Sequence, residues 1–352
     1  MHAFAVLSAE DRSIVDIELP TPEPTGAEVR LRVTHSGVCH SDVHLREGSW
    51  SLGRAGEMDL TAGQRYPLIM GHEAVGVVEA VGPDVQGVAV GDLRLVYPWI
   101  GCGACEECRA GRENLCATAP ALGVAKPGGY ADTILVPHER YLIDIDGLDP
   151  AWAATLACSG LTSYSAARQA LPGDAAAPAV VIGVGGVGLG AVAALRALGH
   201  ENVVAVDMNE RNLEAARGLG ARAGVLATTE NLPGAVVAAA GGPASAVIDF
   251  VNSSATAPVG FAILRKGGRM IQVGLFGGEL VVPTVLLPLK VVTIQGSYVG
   301  TLDELRELVV IARSGALPQQ PTTTAPLSAA AVDESLERLR AGGVTGRIVL
   351  SA

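Results

Sequence analysis

Ala179-Val180-Val181-Ile182-Gly183-Val184-Gly185-Gly186-Val187-Gly188 begins as an apolar, largely β-branched tetrad, turns on glycines and continues as an Ala/Leu-rich stretch. A strand that runs into Gly-x-Gly-x-x-Gly and restarts as a helix is the setting in which that motif cradles a dinucleotide. Gly183 permits the tight turn, Gly185 lets the backbone approach a pyrophosphate, and Gly188 lets helix and strand touch. The loop residues Gly186 and Val187 open the helix, whose free N–H groups face the phosphates. The next apolar run, Val203-Val204-Ala205-Val206, ends in Asp207, at about the twenty-residue interval expected for a ribose-binding acid. A carboxylate there accepts from both adenosine-ribose hydroxyls and repels a 2′-phosphate, which favours NAD(H) over NADP(H). The run Ala179 to Leu195 carries no charge, but its glycines make it a poor membrane span.

Outward from this fingerprint, the region from about 160 to 300 alternates apolar runs with helix-like segments. The runs are Ala179–Ile182, Val203–Val206, Ala246–Phe250, Met270–Val273 and Val291–Gln295, and the helical segments include Asn209–Leu219 and Leu302–Ser314. Such repetition predicts a doubly wound parallel sheet covered on both faces. Residues 1 to about 155 have a different texture. Glu28–Val33 alternates with period two, Ala74–Val81 is a Val/Gly-rich strand, and turn signals break the region into many short strands. An apolar strand, Arg347–Leu350, follows Gly342-Gly343 near the end and could return to the first region. A chain of 352 residues with 49% hydrophobic composition can bury two cores, so two domains are expected. Its formal charge of -11, without a Lys/Arg run, argues against nucleic acid as a partner. The opening Met1–Leu7 has no basic leader, which with thiols free for metal predicts a cytoplasmic protein and no membrane partner.

The six cysteines form two patterns. Cys102-x2-Cys105-x2-Cys108-x7-Cys116 lets a short loop wrap one ion, the pattern of a structural zinc site. Cys39, in Gly37-Val38-Cys39-His40-Ser41-Asp42-Val43-His44, supplies a thiol, Gly71-His72-Glu73 an imidazole, and Ala157-Cys158-Ser159-Gly160 a second thiol at the junction of the regions. Two thiolates and one imidazole leave a fourth corner open, as catalytic zinc sites do.

With Gly71-His72-Glu73-x2-Gly76, the Cys39–His44 stretch, the four-cysteine lobe, the glycine fingerprint and Gly346-Arg347 all in order, the chain resembles the zinc-dependent, medium-chain alcohol dehydrogenase family over essentially its whole length. The resemblance implies an α/β protein with a GroES-like β-rich catalytic domain and a Rossmann NAD-binding domain. The expected divisions are 1–159, with the zinc lobe at about 98–117, then 160–302, then a segment 303–352 returning to the catalytic domain. It implies two zinc ions per subunit: a catalytic one on Cys39, His72 and Cys158, and a structural one on the four-cysteine lobe. Glu73 would stand next to the catalytic ion, and Asp42 would hold the second nitrogen of His72. The activity implied is reversible hydride transfer between a primary, benzylic or secondary alcohol and NAD+, giving aldehyde or ketone. An ion in the open site would act as a Lewis acid on the alcohol oxygen. The proton would leave through Ser41, a cofactor ribose hydroxyl and His44, whose pKa suits the last step.

Further cofactor contacts implied are Val187 behind the nicotinamide, Thr162 beside it, the Gly274 and Leu275 backbone at the carboxamide, and Arg347 on the pyrophosphate. His40 stands where many members place an arginine on that pyrophosphate. Trp50, Tyr97 and Trp99 fall where substrate-lining residues sit in the family, although aromatics also serve as plain core. Between His44 and His72 lies a polar loop, Leu45–Met70, longer than the shortest members carry. A homotetramer or homodimer is expected. A polyol dehydrogenase is the runner-up, against which Cys158 counts because that branch commonly has a carboxylate there. A fold-retaining, inactive NAD/zinc-binding protein is the reading from another class.

Overall fold

The computed structural model describes residues 1–170 and 174–352. Strands Ala179–Ile182, Val203–Asp207, Ala223–Leu226, Ala244–Asp249, Leu264–Gln272 and Thr293–Gly296 form one six-stranded sheet, and every pairing in it is parallel. Spatial order starts at Ala223–Leu226 and runs through Val203–Asp207, Ala179–Ile182, Ala244–Asp249 and Leu264–Gln272 to Thr293–Gly296. The first three strands in sequence therefore run outward on one side, and the later three are laid down on the other. The order reverses beside Ala179–Ile182, and ligands of such sheets sit outside the carboxyl ends at that switch point. The uncharged run at 179–195 is thus strand, glycine turn and the helix Gly186–Ala197, and no helix among the described residues is long and apolar enough to cross a membrane.

The second sheet has seven strands. Val29–Val38 is central, pairing antiparallel with Glu73–Val81, Thr133–Val136 and the final strand Arg347–Ser351. Arg347–Ser351 in turn pairs parallel with Thr322–Pro326, so the tail adds two strands to the sheet built by the first part of the chain. Alternation along Val29–Val33 buries Val29, Leu31 and Val33 and leaves Arg30 and Arg32 on the other face.

The two sheets share a core. Helix Pro150–Thr155 passes through a π-helical turn, Leu156–Gly160, directly into helix Leu161–Ala170. π-turns recur at functional positions, and this one carries Cys158. Leu156 and Leu161 join Val75 and Leu95 of one sheet and Val181 and Ile248 of the other in a single apolar cluster. Helix Leu302–Arg313 packs on helix Leu161–Ala170, with Glu307 meeting Tyr164 and Arg168 at 3.2 and 2.5 Å.

Candidate active site

Cys39 caps the N-terminus of helix His40–Glu47, His72 precedes strand Glu73–Val81, and Cys158 rides the π-turn. These three elements come from distant parts of the chain, yet one ligand atom from each lies within 4.8 Å of the others, and all three residues are buried. Both nitrogens of the His72 ring are buried without a hydrogen-bond partner. Nδ1 approaches Asp42 Oδ1 at 3.2 Å, off the hydrogen-bond axis, and Nε2 has no hydrogen-bond partner. An orphaned imidazole nitrogen beside two thiols is a costly arrangement unless an ion takes the lone pair, so the donor set fits zinc.

Asp42 is fully buried and held from several sides. Its Oδ2 accepts from the Cys39 backbone N–H and the Tyr130 hydroxyl, both at 2.9 Å, and Oδ1 from the Gly71 N–H at 3.3 Å. Burial opposes charge on His72, but Asp42 and the Cys39 thiol push its pKa well up. Cys39 is drawn down by its hydrogen bond with Cys158 and by His72, while the same contact and burial push Cys158 up. Glu73 is also fully buried. Its Oε1 accepts from the Ser159 N–H at 3.0 Å and its Oε2 from Arg347 Nη2 at 2.5 Å. Burial raises Glu73 above the usual carboxylate range, and Arg347 works against that rise.

Arg347 therefore lies deeper than a pyrophosphate contact alone requires. It is 3% exposed, its guanidinium pairs with Glu73, and its stem crosses Gly186, where a Cβ would fall 2.7 Å from its Cδ. Its Nε, next to the glycine loop, has no partner. In that loop Gly183 has φ +80, open space lies where a Cβ on Gly185 would point, and a Cβ on Gly188 would meet the Gly183 carbonyl. Asp207 closes the loop: Oδ2 accepts from the Val184 N–H at 2.8 Å, and Oδ1 from the Asn209 N–H at 2.8 Å and Asn212 Nδ2 at 3.2 Å. A glycine cradle with open space at Gly185 and a carboxylate at its rim fits a dinucleotide. Thr162 is buried on helix Leu161–Ala170, whose Ser163 hydroxyl donates to the Val187 carbonyl at 2.6 Å. Gly274 is pressed on the Val251 backbone, its carbonyl accepts from Asn252 Nδ2 at 3.0 Å, and Leu275 is 41% exposed.

Ser41 lies 3.8 Å from Cys39 Sγ, and the His44 ring stands 6.2 Å from that of Trp50. Burial lowers His44, against the raising influence of Glu47. His40, lowered by burial, meets the Phe276 ring at a tilt of 46°, with centroids 5.1 Å apart. Of the three aromatic residues, Trp99 is buried against His72 at 5.3 Å and donates to the Ala157 carbonyl at 3.1 Å. Trp50 is half-buried, with its indole nitrogen unpartnered. Tyr97 departs from expectation: it is fully buried, stacks on Tyr141 at 6.1 Å and donates to the Gly300 carbonyl at 2.9 Å, which makes it core and not cleft wall. Sequence reasoning missed Tyr130, Asn252 and Tyr298. Nothing local marks them, because each acts on a residue far away in the chain.

The Leu45–Met70 loop contains a hairpin, Ser49–Ser51 with Glu57–Asp59, that reaches the other domain. Arg54 Nε meets Glu279 Oε2 at 2.6 Å, and Gly277 packs against the Ser51 carbonyl. The four-cysteine lobe is compact. Sγ–Sγ distances of 3.4 Å (Cys105–Cys108) and 3.9 Å (Cys102–Cys108) bracket the edge of about 3.8 Å that Zn–S bonds of about 2.3 Å give a tetrahedron. Backbone N–H groups of Ala104 and Cys105 draw Cys102 down to about 6, whereas burial pushes Cys108 up to about 12. All six cysteines are free thiols.

Comparison with known proteins agrees with this geometry. The family described as the alcohol dehydrogenase GroES-like domain matches residues 25–147, and that described as zinc-binding dehydrogenase matches 186–313. An NAD-dependent alcohol dehydrogenase of Sulfurisphaera tokodaii is 38% identical over 336 residues, 95% of each chain. A D-arabinose 1-dehydrogenase (NADP(+)) of Saccharolobus solfataricus is 30% identical over 97% of this chain and 95% of its own. Among solved structures, the alcohol dehydrogenase of Aeropyrum pernix superposes with TM-score 0.87 at 30% identity, over 100% of both chains. From the glycine cradle to the Cys39, His72 and Cys158 cluster, this chain belongs to the medium-chain dehydrogenase/reductase family and is an oxidoreductase acting on alcohols.

Proposed function

We propose that the chain is a zinc-dependent, NAD-linked alcohol dehydrogenase with two zinc ions per subunit, interconverting a primary, benzylic or secondary alcohol with its aldehyde or ketone. The observation that carries this reading is the buried His72 Nε2, without a partner, facing Cys39 and Cys158. Cys39, His72 and Cys158 would hold the catalytic ion, and Cys102, Cys105, Cys108 and Cys116 the structural one. When bound, zinc supplies Lewis-acid polarisation of the alcohol oxygen and NAD+ supplies the hydride acceptor. Asp42 fixes the His72 ring, and Arg347 keeps Glu73 paired so that its carboxylate is not left bare beside two thiolates. Ser41 would relay the alcohol proton, taking it up as its own hydroxyl proton leaves in the direction of His44. His44, kept below the ordinary histidine range by burial, is an unprotonated acceptor at neutral pH and passes the proton to solvent.

The cofactor side is organised by Gly183, Gly185, Gly186, Val187 and Gly188, with Asp207 selecting NAD by repelling a 2′-phosphate. Thr162, Gly274, Leu275, His40 and Arg347 complete it. Trp50 and Trp99 shape the substrate cleft. The domain reading is a catalytic part at 1–159 completed by the tail, and a cofactor part at 160–302. The subunit is proposed to work as a homodimer or homotetramer. A polyhydroxylated substrate is the second reading. The unpartnered Trp50 indole N–H near His44 favours it, as a donor for a second hydroxyl, and one relative acts on D-arabinose. A panel of ethanol, benzyl alcohol, a secondary alcohol and sorbitol, run with NAD+ and NADP+, separates the two. Oxidation of sorbitol alone would overturn the simple-alcohol reading.

A further inference from the structure

We propose that Asn114, in the four-cysteine lobe, is a positioning residue that holds Tyr298 as a wall of the substrate cleft, so that the lobe sets which alcohols are accepted. The inference rests on Cys39, His72 and Cys158 being the reacting centre.

Linked to that centre through Trp99 is the turn between strand Thr293–Gly296 and helix Leu302–Arg313. The Tyr298 ring meets Trp99 edge-on, with centroids 5.9 Å apart at 67°, and Trp99 lies 5.3 Å from the His72 ring. Trp99 cannot drift, because its indole N–H is tied to the Ala157 carbonyl next to Cys158. Trp99 is 4% exposed and Tyr298 is 53% exposed, so the stack runs from the buried metal ligands out to an open face. A half-exposed ring on that stack is suited to serve as a wall of the cleft.

The turn that presents Tyr298 is not a relaxed one. Val299 has φ +45, a left-handed backbone that a β-branched residue adopts only when its surroundings impose it. Those surroundings are visible. The Ser297 N–H donates to the Gln272 carbonyl at 3.0 Å, which fixes the turn to its own sheet. From the catalytic domain, Asn114 Nδ2 donates to the Tyr298 carbonyl at 3.0 Å and the Tyr97 hydroxyl to the Gly300 carbonyl at 2.9 Å. The strained residue is thus clamped on both sides by the other domain. Asn114 lies in the short turn Glu113–Leu115, between buried Glu113, paired with Arg140 at 2.5 Å, and Cys116. An ion held by Cys116 would fix that turn, and the turn holds the carbonyl of Tyr298 through Asn114. This gives the lobe a task at the cleft besides stability.

The test compares Tyr298→Ala, Asn114→Ala, Asn114→Asp and the double variant Asn114→Ala/Tyr298→Ala with the unmodified enzyme and with Arg112→Ala, an exposed lobe control. Asn114→Asp keeps the size and loses the donor, so the outcome does not hang on whether the alanine variant folds. The first readout is the ratio of kcat/KM for benzyl alcohol to that for ethanol. Tyr298→Ala is expected to change it roughly tenfold or more, the scale of a lost pocket contact. Both Asn114 variants should move it in the same direction, and the double variant no further than Tyr298→Ala alone. The second readout needs no turnover: the near-ultraviolet circular dichroism that Tyr298 and Trp99 share as coupled rings. It should fall in Tyr298→Ala and in both Asn114 variants, while Arg112→Ala leaves both readouts unchanged. A dichroism change in the Asn114 variants supports the positioning even were the chain to oxidise no alcohol, a result that would strike the proposed reaction instead. Asn114 variants with the wild-type ratio and an unchanged dichroism band, whatever their melting temperature, would overturn the proposal.

Discussion

Asp207→Asn isolates the charge proposed to select the cofactor. The carboxylate accepts from the N–H groups of Val184 and Asn209 and from Asn212, so truncation to alanine would loosen the glycine loop along with removing the charge. Asparagine keeps one acceptor oxygen for Val184. A 2′-phosphate brings up to two negative charges toward Asp207. At about 4 Å each charge is worth about 1 kcal/mol at bulk-water screening and about 4 at the effective dielectric of a protein surface. Asp207 is half-buried at the rim of the cradle, which places the total repulsion for NADP at about 2–4 kcal/mol once water and salt are counted. Asp207→Asn is therefore expected to raise kcat/KM for NADP+ relative to NAD+ by roughly 30- to 1,000-fold, at about 1.4 kcal/mol per decade. Steady-state kinetics with both cofactors, supported by fluorescence titration with NADH and NADPH, gives the ratio. The shift should shrink at high ionic strength. An unchanged ratio at low salt would refute the assignment of Asp207 to the ribose.

Three further outcomes are expected. Cys105→Ala should remove one of the two zincs and lower the melting temperature by calorimetry, because ligand loss uncouples metal binding from folding; a variant as stable as wild type with full zinc content would contradict the lobe assignment. Arg347→Leu should cost about 3–5 kcal/mol, since it leaves Glu73 buried and unpaired, and Arg347→Leu/Glu73→Leu should recover part of that loss; a cost below about 1 kcal/mol in denaturant unfolding would mean the pair matters little. The acidic limb of kcat/KM should lie below about pH 6.5, because burial depresses His44 and activity is lost only as pH falls through that lowered pKa. His44→Gln should abolish the limb, and a limb above pH 6.5 that survives the substitution would remove His44 from the proton path.

Features whose meaning is local were legible in the sequence. The glycine fingerprint announced strand, turn and helix because each glycine answers a backbone demand within a few residues, and Gly183 does take φ +80. The four lobe cysteines were legible for the same reason, through spacing alone. The Cys39, His72 and Cys158 cluster was readable from residue type and motif, although its closeness comes from the fold. What escaped depends on contacts across the chain. The Glu73–Arg347 pair joins residues on two strands of one sheet, 274 positions apart, and Asn114 reaches Tyr298 across 184 positions. Tyr97 was read as a possible cleft residue because an aromatic side chain does not announce which way it faces; its hydroxyl finds Gly300 in the interior. The polar loop after His44 gave no sign that Arg54 would meet Glu279 on the other domain.

The most direct test of the account is zinc content per subunit, measured with NAD-linked alcohol oxidation, in the wild type and in Cys158→Ser. Two zincs with turnover in the wild type are expected, against about one zinc, retained NADH binding and no turnover in the variant. Full activity in Cys158→Ser, or in a wild type stripped of zinc, would contradict the account.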